Sequence, residues 1–367
     1  MCRKIVGLAS IFFCSCALMT TASYGQLDGL YEFDGGGDGT SWDDAANWEQ
    51  KLDAFGNPIS GDPATPPSPT TSADIPLLGV VLVDNTQPGQ TALDVNIGTS
   101  AGNGSAFITG GDLTVRDMNV GSDSGGINIG LLSMSGGTLA AGDDITLGNG
   151  SVGVMTMSGG TASTGDDFVI NSNSSLTMTG GAINIGDRLV TEDNAGIVLS
   201  NGDIFADDDF FFFGNSQITV NGGSMIVNDK LRFDDDDSFS GKLTINDGFV
   251  RSNEFGVEVD GLLTDFRGEV EINGSGLFQV EESGGPSSPI SQLSLGTARD
   301  LIAEGVHFTT SEPAPKKLGA FLVTVPSFDG NTNVSFVQIS VVPEPASVLL
   351  LGLGTLALVL RRKNQVA

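Results

Sequence analysis

The feature that most constrains this chain is a line of sequence that keeps returning. "FITGGDLTV" begins at Phe107, "SMSGGTLAA" at Ser133, "TMSGGTAST" at Thr156 and "TMTGGAINI" at Thr177. Looser copies follow: "VLSNGDIFA" at Val198, "TVNGGSMIV" at Thr219, "TINDGFVRS" at Thr244 and "EINGSGLFQ" at Glu271. Aligned on Gly110, Gly136, Gly159, Gly180, Asn201, Asn221, Asp247 and Asn273, the copies are spaced by 26, 23, 21, 21, 20, 26 and 26 residues. A second line lies between them: "DMNVG" at Asp117, "DITLG" at Asp144, "DFVIN" at Asp167, "DRLVT" at Asp187, "DFFFFG" at Asp209 and, more loosely, "DKLRF" at Asp229. Apolar residues alternate and Gly, Asn and Asp punctuate, so each repeat reads as two short strands with turns.

A unit this short cannot bury its apolar side chains alone, but a stack of such units can. Each strand would pair with its equivalent in the next coil at about 4.8 Å, so eight coils make a rod of roughly 40 Å. Like residues would pile up inside, with Ile145, Val169 and Leu189 in one interior column. Paired glycines suit corners that need positive φ or leave no room for a Cβ. These repeats resemble the right-handed β-helix of bacterial surface proteins and pectate-lyase-like domains, and in particular the glycine-rich repeats of autotransporter-type passenger domains. The resemblance implies an all-β chain with a right-handed parallel β-helix, or solenoid, over residues 75–283.

Open solenoid ends expose unpaired strands and need caps. Residues 26–74 are expected to cap the front, with Trp42 and Trp48 of "TSWDDAANWEQ" lying across the first coil. A sugar-stacking platform is the rival role for these rings. "NPISGDPATPPSPTT", from Asn57, is a proline-rich loop. After "GGPSSP" the pattern changes, and residues 284–342 are expected to form a C-terminal β cap. In it "RDLIAEGV" reads as a helical turn, and "GAFLVTV" and "NVSFVQISVV" read as strands.

The two termini carry addresses. Arg3 and Lys4, the apolar run from Ile5 to Met19 and the small residues up to Gly25 have the layout of a secretory signal peptide, residues 1–25. All three cysteines, Cys2, Cys14 and Cys16, lie inside it, so the exported part would hold no disulfide or thiolate metal site. Residues 343–367 run Pro343-Glu344-Pro345, then an uncharged stretch from Ala346 to Leu360, then Arg361-Arg362-Lys363. As a helix that stretch spans about 22 Å against a hydrocarbon core of roughly 30 Å. It is a marginal transmembrane helix, with a buried core helix as the alternative. The basic cluster would hold the far end in the cytoplasm. This ending closely resembles the PEP-CTERM sorting signal of Gram-negative bacteria. The resemblance implies recognition by an exosortase, cleavage near the Pro-Glu-Pro triplet, and association with exopolysaccharide in the envelope, at the cell surface or in a biofilm matrix.

Between Gln26 and Val342 there are 11 Lys and Arg against 44 Asp and Glu, a net charge of -33. That balance excludes nucleic acid as a partner, since its phosphates would be repelled. The densest acids recur at one point of the repeat: Asp143 and Asp144, Asp166 and Asp167, Asp187, Asp208 and Asp209, and Asp229. Stacked coil on coil they form a solvated acidic face or, with turn carbonyls, calcium sites. "FDDDDS" adds Asp234, Asp235, Asp236 and Asp237 to the calcium candidates, without EF-hand spacing. No other cofactor is expected. A β-helix polysaccharide lyase or hydrolase is the enzymatic alternative. However, the basic residues of the coils repeat on no one face, and with 44 acids any carboxylate pair can be chosen. His307, the one histidine, lies outside the repeats. Phe210 to Phe213 reads as strand packing. The sequence therefore favours a non-enzymatic structural protein, with an enzyme and a calcium-dependent adhesin as alternatives.

Overall fold

The computed structural model describes residues 29–52, 61, 63, 65–76, 79–86, 89–123, 128–233, 241–256, 268–281, 294–304, 308–313, 316–326 and 333–343. The expected signal peptide, the tail from Glu344 to Ala367 with its apolar helix and Arg361, Arg362 and Lys363, the run Asp234, Asp235, Asp236 and Asp237, and His307 lie outside them.

The described strands wind into one parallel β-solenoid. The two strands expected per repeat become three sides. The first side stacks short strands in parallel register: Asp94–Thr99, Asp117–Ser122, Ile145–Leu147, Phe168–Ile170, Leu189–Thr191 and Phe210–Phe212. The second and third sides are the two halves of one long strand, as in Ile129–Ala141, Val152–Thr164 and Ser175–Ile185. The glycine pair between the halves makes the bend, and the register shifts there. Gly160 shows why a side chain fails at this corner. Its φ is +84°, and a Cβ would sit 2.7 Å from the carbonyl oxygen of Gly137 in the coil before.

Inside, Met118, Ile145, Phe168, Leu189 and Phe210 form a column, each in register with the next and each almost fully buried. Burying such a side chain contributes about 1.5–3 kcal/mol. The expected interior residue Val169 is on the outer surface instead, between Thr146 and Val190, and Phe168 takes the inner place. "FVI" is apolar at every position, so its own alternation could not set the parity; pairing with Ile145–Leu147 does. Phe210 to Phe213 divide the same way. Phe210 and Phe212 stack in the core with centroids 4.2 Å apart, whereas Phe211 and Phe213 stack outside at 5.6 Å.

Asparagines brace the same corner in the later coils. Asn246 Nδ2 donates to Asn221 Oδ1 at 2.7 Å, and Asn273 Nδ2 to Asn246 Oδ1 at 3.0 Å. The member of this column is therefore Asn246, one residue before the anchor Asp247 used to align the repeats.

At the front, Gly29–Phe33 extends the first side below Thr71–Ile75, and Trp48–Leu52 folds back antiparallel on it. Trp42 and Trp48 are fully buried edge to face at 5.0 Å, with Trp48 Nε1 donating to the Trp42 carbonyl at 2.9 Å. They cap the first coil and leave no ring face for a sugar. At the back, the hairpin of Lys316–Pro326 and Asn333–Pro343 lies antiparallel on Leu277–Glu281. The expected helical turn is a helix over Leu295–Glu304 that buries Ala298, with Ser294 Oγ accepting from the Thr297 amide at 3.0 Å. No helix among the described residues is long and apolar enough to cross a membrane.

Candidate functional site

The acidic residues singled out in the sequence meet at the corner between the third and first sides. Two adjacent columns run up this corner. The outer one is Arg116, Asp143, Asp166, Asp187, Asp208 and Asp229, joined amide to carbonyl at 2.9–3.1 Å from coil to coil. The inner one, at the start of each first-side segment, is Asp94, Asp117, Asp144, Asp167, Arg188, Asp209 and Lys230.

Inner carboxylates complete the backbone ladder where strand pairing is interrupted. Asp117 Oδ1 accepts from the Asp144 amide at 3.3 Å, and Asp144 Oδ1 from the Asp167 amide at 3.0 Å. Asp167 Oδ1 accepts from the Arg188 amide at 3.1 Å, and Asp209 Oδ1 from the Lys230 amide at 3.0 Å. These carboxylates give the amides a partner at a tight corner. A short side chain with a terminal acceptor suits that reach, which gives the recurring aspartate a structural reason.

Crowded carboxylates repel, and the corner answers with cations. Arg116 lies 2.7 Å from Asp94 and 2.8 Å from Asp117. Arg188 grips Asp167, and Arg232 Nη2 is 3.6 Å from Asp209. Among the described residues three acidic trios stand here, each with one oxygen per residue within 4.8 Å of the others: Asp143, Asp144 and Asp166; Asp166, Asp167 and Asp187; and Asp208, Asp209 and Asp229. Burial, outweighing the hydrogen bond from the Asp167 amide, raises the carboxyl of Asp144 above its ordinary value. Burial does the same at Asp209 against the pull of Arg232. Asp187 is pushed up to about 6 by desolvation, a hydrogen bond with Asp208 and the charge of Asp167, against Arg188. Clustered oxygens of this kind are ligands for a hard divalent cation. Asp143, Asp144, Asp166, Asp167, Asp208 and Asp209 are thus brought together as expected, with Asp187 and Asp229 completing trios. The sequence reading missed the part played by Arg188. Its signal is "DRL" where the preceding coils have "DDI" and "DDF".

The coil cations among the described residues all have partners. Lys230 faces Asp229 at 3.7 Å and Glu254 at 4.0 Å, and Lys242 faces Glu271 at 2.7 Å and Glu269 at 3.3 Å. Burial opposes the charge on Lys242, but hydrogen bonding to Glu271 and the charge of Glu269 outweigh it, and its ammonium is held above the ordinary value. Arg251 lies over the Phe336 ring, 4.2 Å from its centre.

The second functional feature begins where the cap ends. Pro343 is the last residue of the final strand, in register with Lys316. A family model described as the PEP-CTERM protein-sorting motif matches residues 341–363, which include Pro343, Glu344, Pro345, Arg361, Arg362 and Lys363. No curated protein and no solved structure matches the chain. Fold and tail together define an exported bacterial β-solenoid of the cell envelope, sorted by an exosortase. The chain thus carries a PEP-CTERM sorting motif at residues 341–363 behind a β-solenoid.

Proposed function

We propose that the exported part is a non-enzymatic structural rod of the extracellular polysaccharide or biofilm matrix, at the surface of a Gram-negative bacterium. The observation that carries this reading is that the recurring aspartates and the described cations of the coils are engaged within the coils, although Ser151 Oγ, Asn171 Oδ1 and Ser252 Oγ are buried without a hydrogen-bond partner. Inner aspartates hold backbone amides of the next coil, and the coil cations are held by acids or stacked on a ring. A lyase of this architecture would need a basic side chain poised to lose its proton; Lys242 is held protonated, and Arg251, which burial pulls below its ordinary value, lies against the Phe336 ring. What remains for solvent is a long, hydrated, acidic flank suited to occupying space among polymers.

The test pairs two readouts on exopolysaccharide from the bacterium that makes the protein. The protein should sediment with the polymer and release no reducing ends or unsaturated products. Appearance of either product would put the β-helix lyase or hydrolase reading in its place. The three carboxylate trios favour a second reading, a calcium-dependent adhesin. That reading requires the thermal midpoint to rise with millimolar calcium and the rise to vanish in Asp208→Asn. An unchanged midpoint removes it.

A further inference from the structure

We propose that the C-terminal end of the solenoid docks on an anionic lipid surface through Arg299, Lys316, Lys317 and the exposed pair Phe321 and Leu322. This rests on the reading of the tail as a membrane-inserted anchor before processing.

The tether is short. The last strand ends at Pro343 beside Lys316. Only Glu344 and Pro345 separate it from Ala346, where the apolar stretch begins. Fully extended, that link reaches about 10 Å. The headgroup layer is itself about 5–8 Å deep on each side of the hydrocarbon core. An inserted tail therefore holds the cap against the headgroups.

What the cap presents there suits an anionic interface. Arg299, Lys316 and Lys317 are exposed; Lys316 also pairs with Glu312 at 3.0 Å, and Arg299 Nη2 donates to the Ala320 carbonyl at 3.5 Å. Arg299 and Lys317 border a groove of about 660 Å³ whose walls include Ile302, Leu318 and Phe321. Farther along the same strand Phe321, on the Lys317 face, is 44% exposed and Leu322, on the opposite face, is 48% exposed, in a chain of net charge -29. Cations with adjoining aromatic and aliphatic side chains are what a lipid–water boundary takes up. The acidic coils are repelled by the same lipid, so the rod would point away and the Pro-Glu-Pro segment would stay at the surface, within reach of a membrane enzyme.

The test uses the full chain with Cys2, Cys14 and Cys16 changed to serine and Leu322→Cys carrying an environment-sensitive fluorophore. It is reconstituted into phosphatidylglycerol/phosphatidylethanolamine vesicles or into phosphatidylcholine vesicles. Emission should shift to the blue in the anionic vesicles only, and 1 M salt should reverse the shift. Arg299→Gln and Lys317→Gln should each cut the interfacial population about five-fold, with the β-sheet circular dichroism unchanged. Equal emission in both lipids, with the protein resistant to carbonate extraction, overturns the docking and leaves the anchor standing. Release by carbonate overturns the anchor and the docking with it. A shift that follows protein concentration without lipid overturns the proposal by assigning the patch to a second copy of the chain.

Discussion

Arg188 forks onto Asp167 one coil below, with Nε 3.1 Å from Oδ1 and Nη2 2.7 Å from Oδ2. The same Oδ1 also accepts the Arg188 amide at 3.1 Å. One carboxylate thus fixes both the backbone and the side chain of the next coil. Arg188→Ala keeps the amide bond but leaves Asp167 among Asp166 and Asp187. The Arg188 side chain is 43% exposed, so solvent screens the pair. The expected loss is about 1 kcal/mol in denaturant titration, and it should shrink in high salt.

Gly160 carries the glycine corner. Alanine there places a Cβ 2.7 Å from a backbone oxygen at φ +84°. Gly160→Ala should cost about 3 kcal/mol, since strain and overlap act together. Gly142→Ala is the control, because its added carbon meets nothing nearer than 3.6 Å. Chemical denaturation should separate the two variants clearly.

Asp187 sets a pH dependence. Its carboxyl titrates at about 6 in the folded chain against an ordinary value of 3.8. Between those values the folded state binds more protons than the unfolded one, so this group's contribution to stability falls as pH rises. The wild type minus Asp187→Asn difference in thermal midpoint should therefore move in favour of the wild type as pH falls from 7 to 4. A difference independent of pH would refute the assignment.

Trp48 seals the front. Fully buried and packed on Trp42 and Phe33, it should cost about 3–5 kcal/mol when changed to alanine. The loss should come first at the front of the rod, seen as faster amide exchange in residues 71–75 than in residues 175–185.

Much of this architecture was legible before the coordinates because a solenoid repeats its reasons. The glycine pairs and the aspartates before each apolar strand recur because each coil meets the same neighbour. Legibility fails where local sequence has no contrast. "FVI" could not declare which of Phe168 and Val169 points inward, and the register of the neighbouring coil decided it. Three sides were read as two because one long segment bends at glycine without an intervening loop. Aligning on Asp247 misses Asn246 because a column is defined by the residue above, not by composition. Arg188 looked like a departure from the repeat, yet it is the cation that the acidic corner uses.

Coil stacking itself is tested most directly by cross-linking across register. Thr156 pairs with Thr177 on adjacent coils. Neighbouring strands bring such Cα atoms to about 4.8 Å, within disulfide range. With the three native cysteines removed, Thr156→Cys combined with Thr177→Cys should oxidise to one intramolecular disulfide. Thr156→Cys combined with Thr179→Cys, two residues out of register, should stay reduced. Equal oxidation of both pairs, or of neither, would contradict the stacked-coil account.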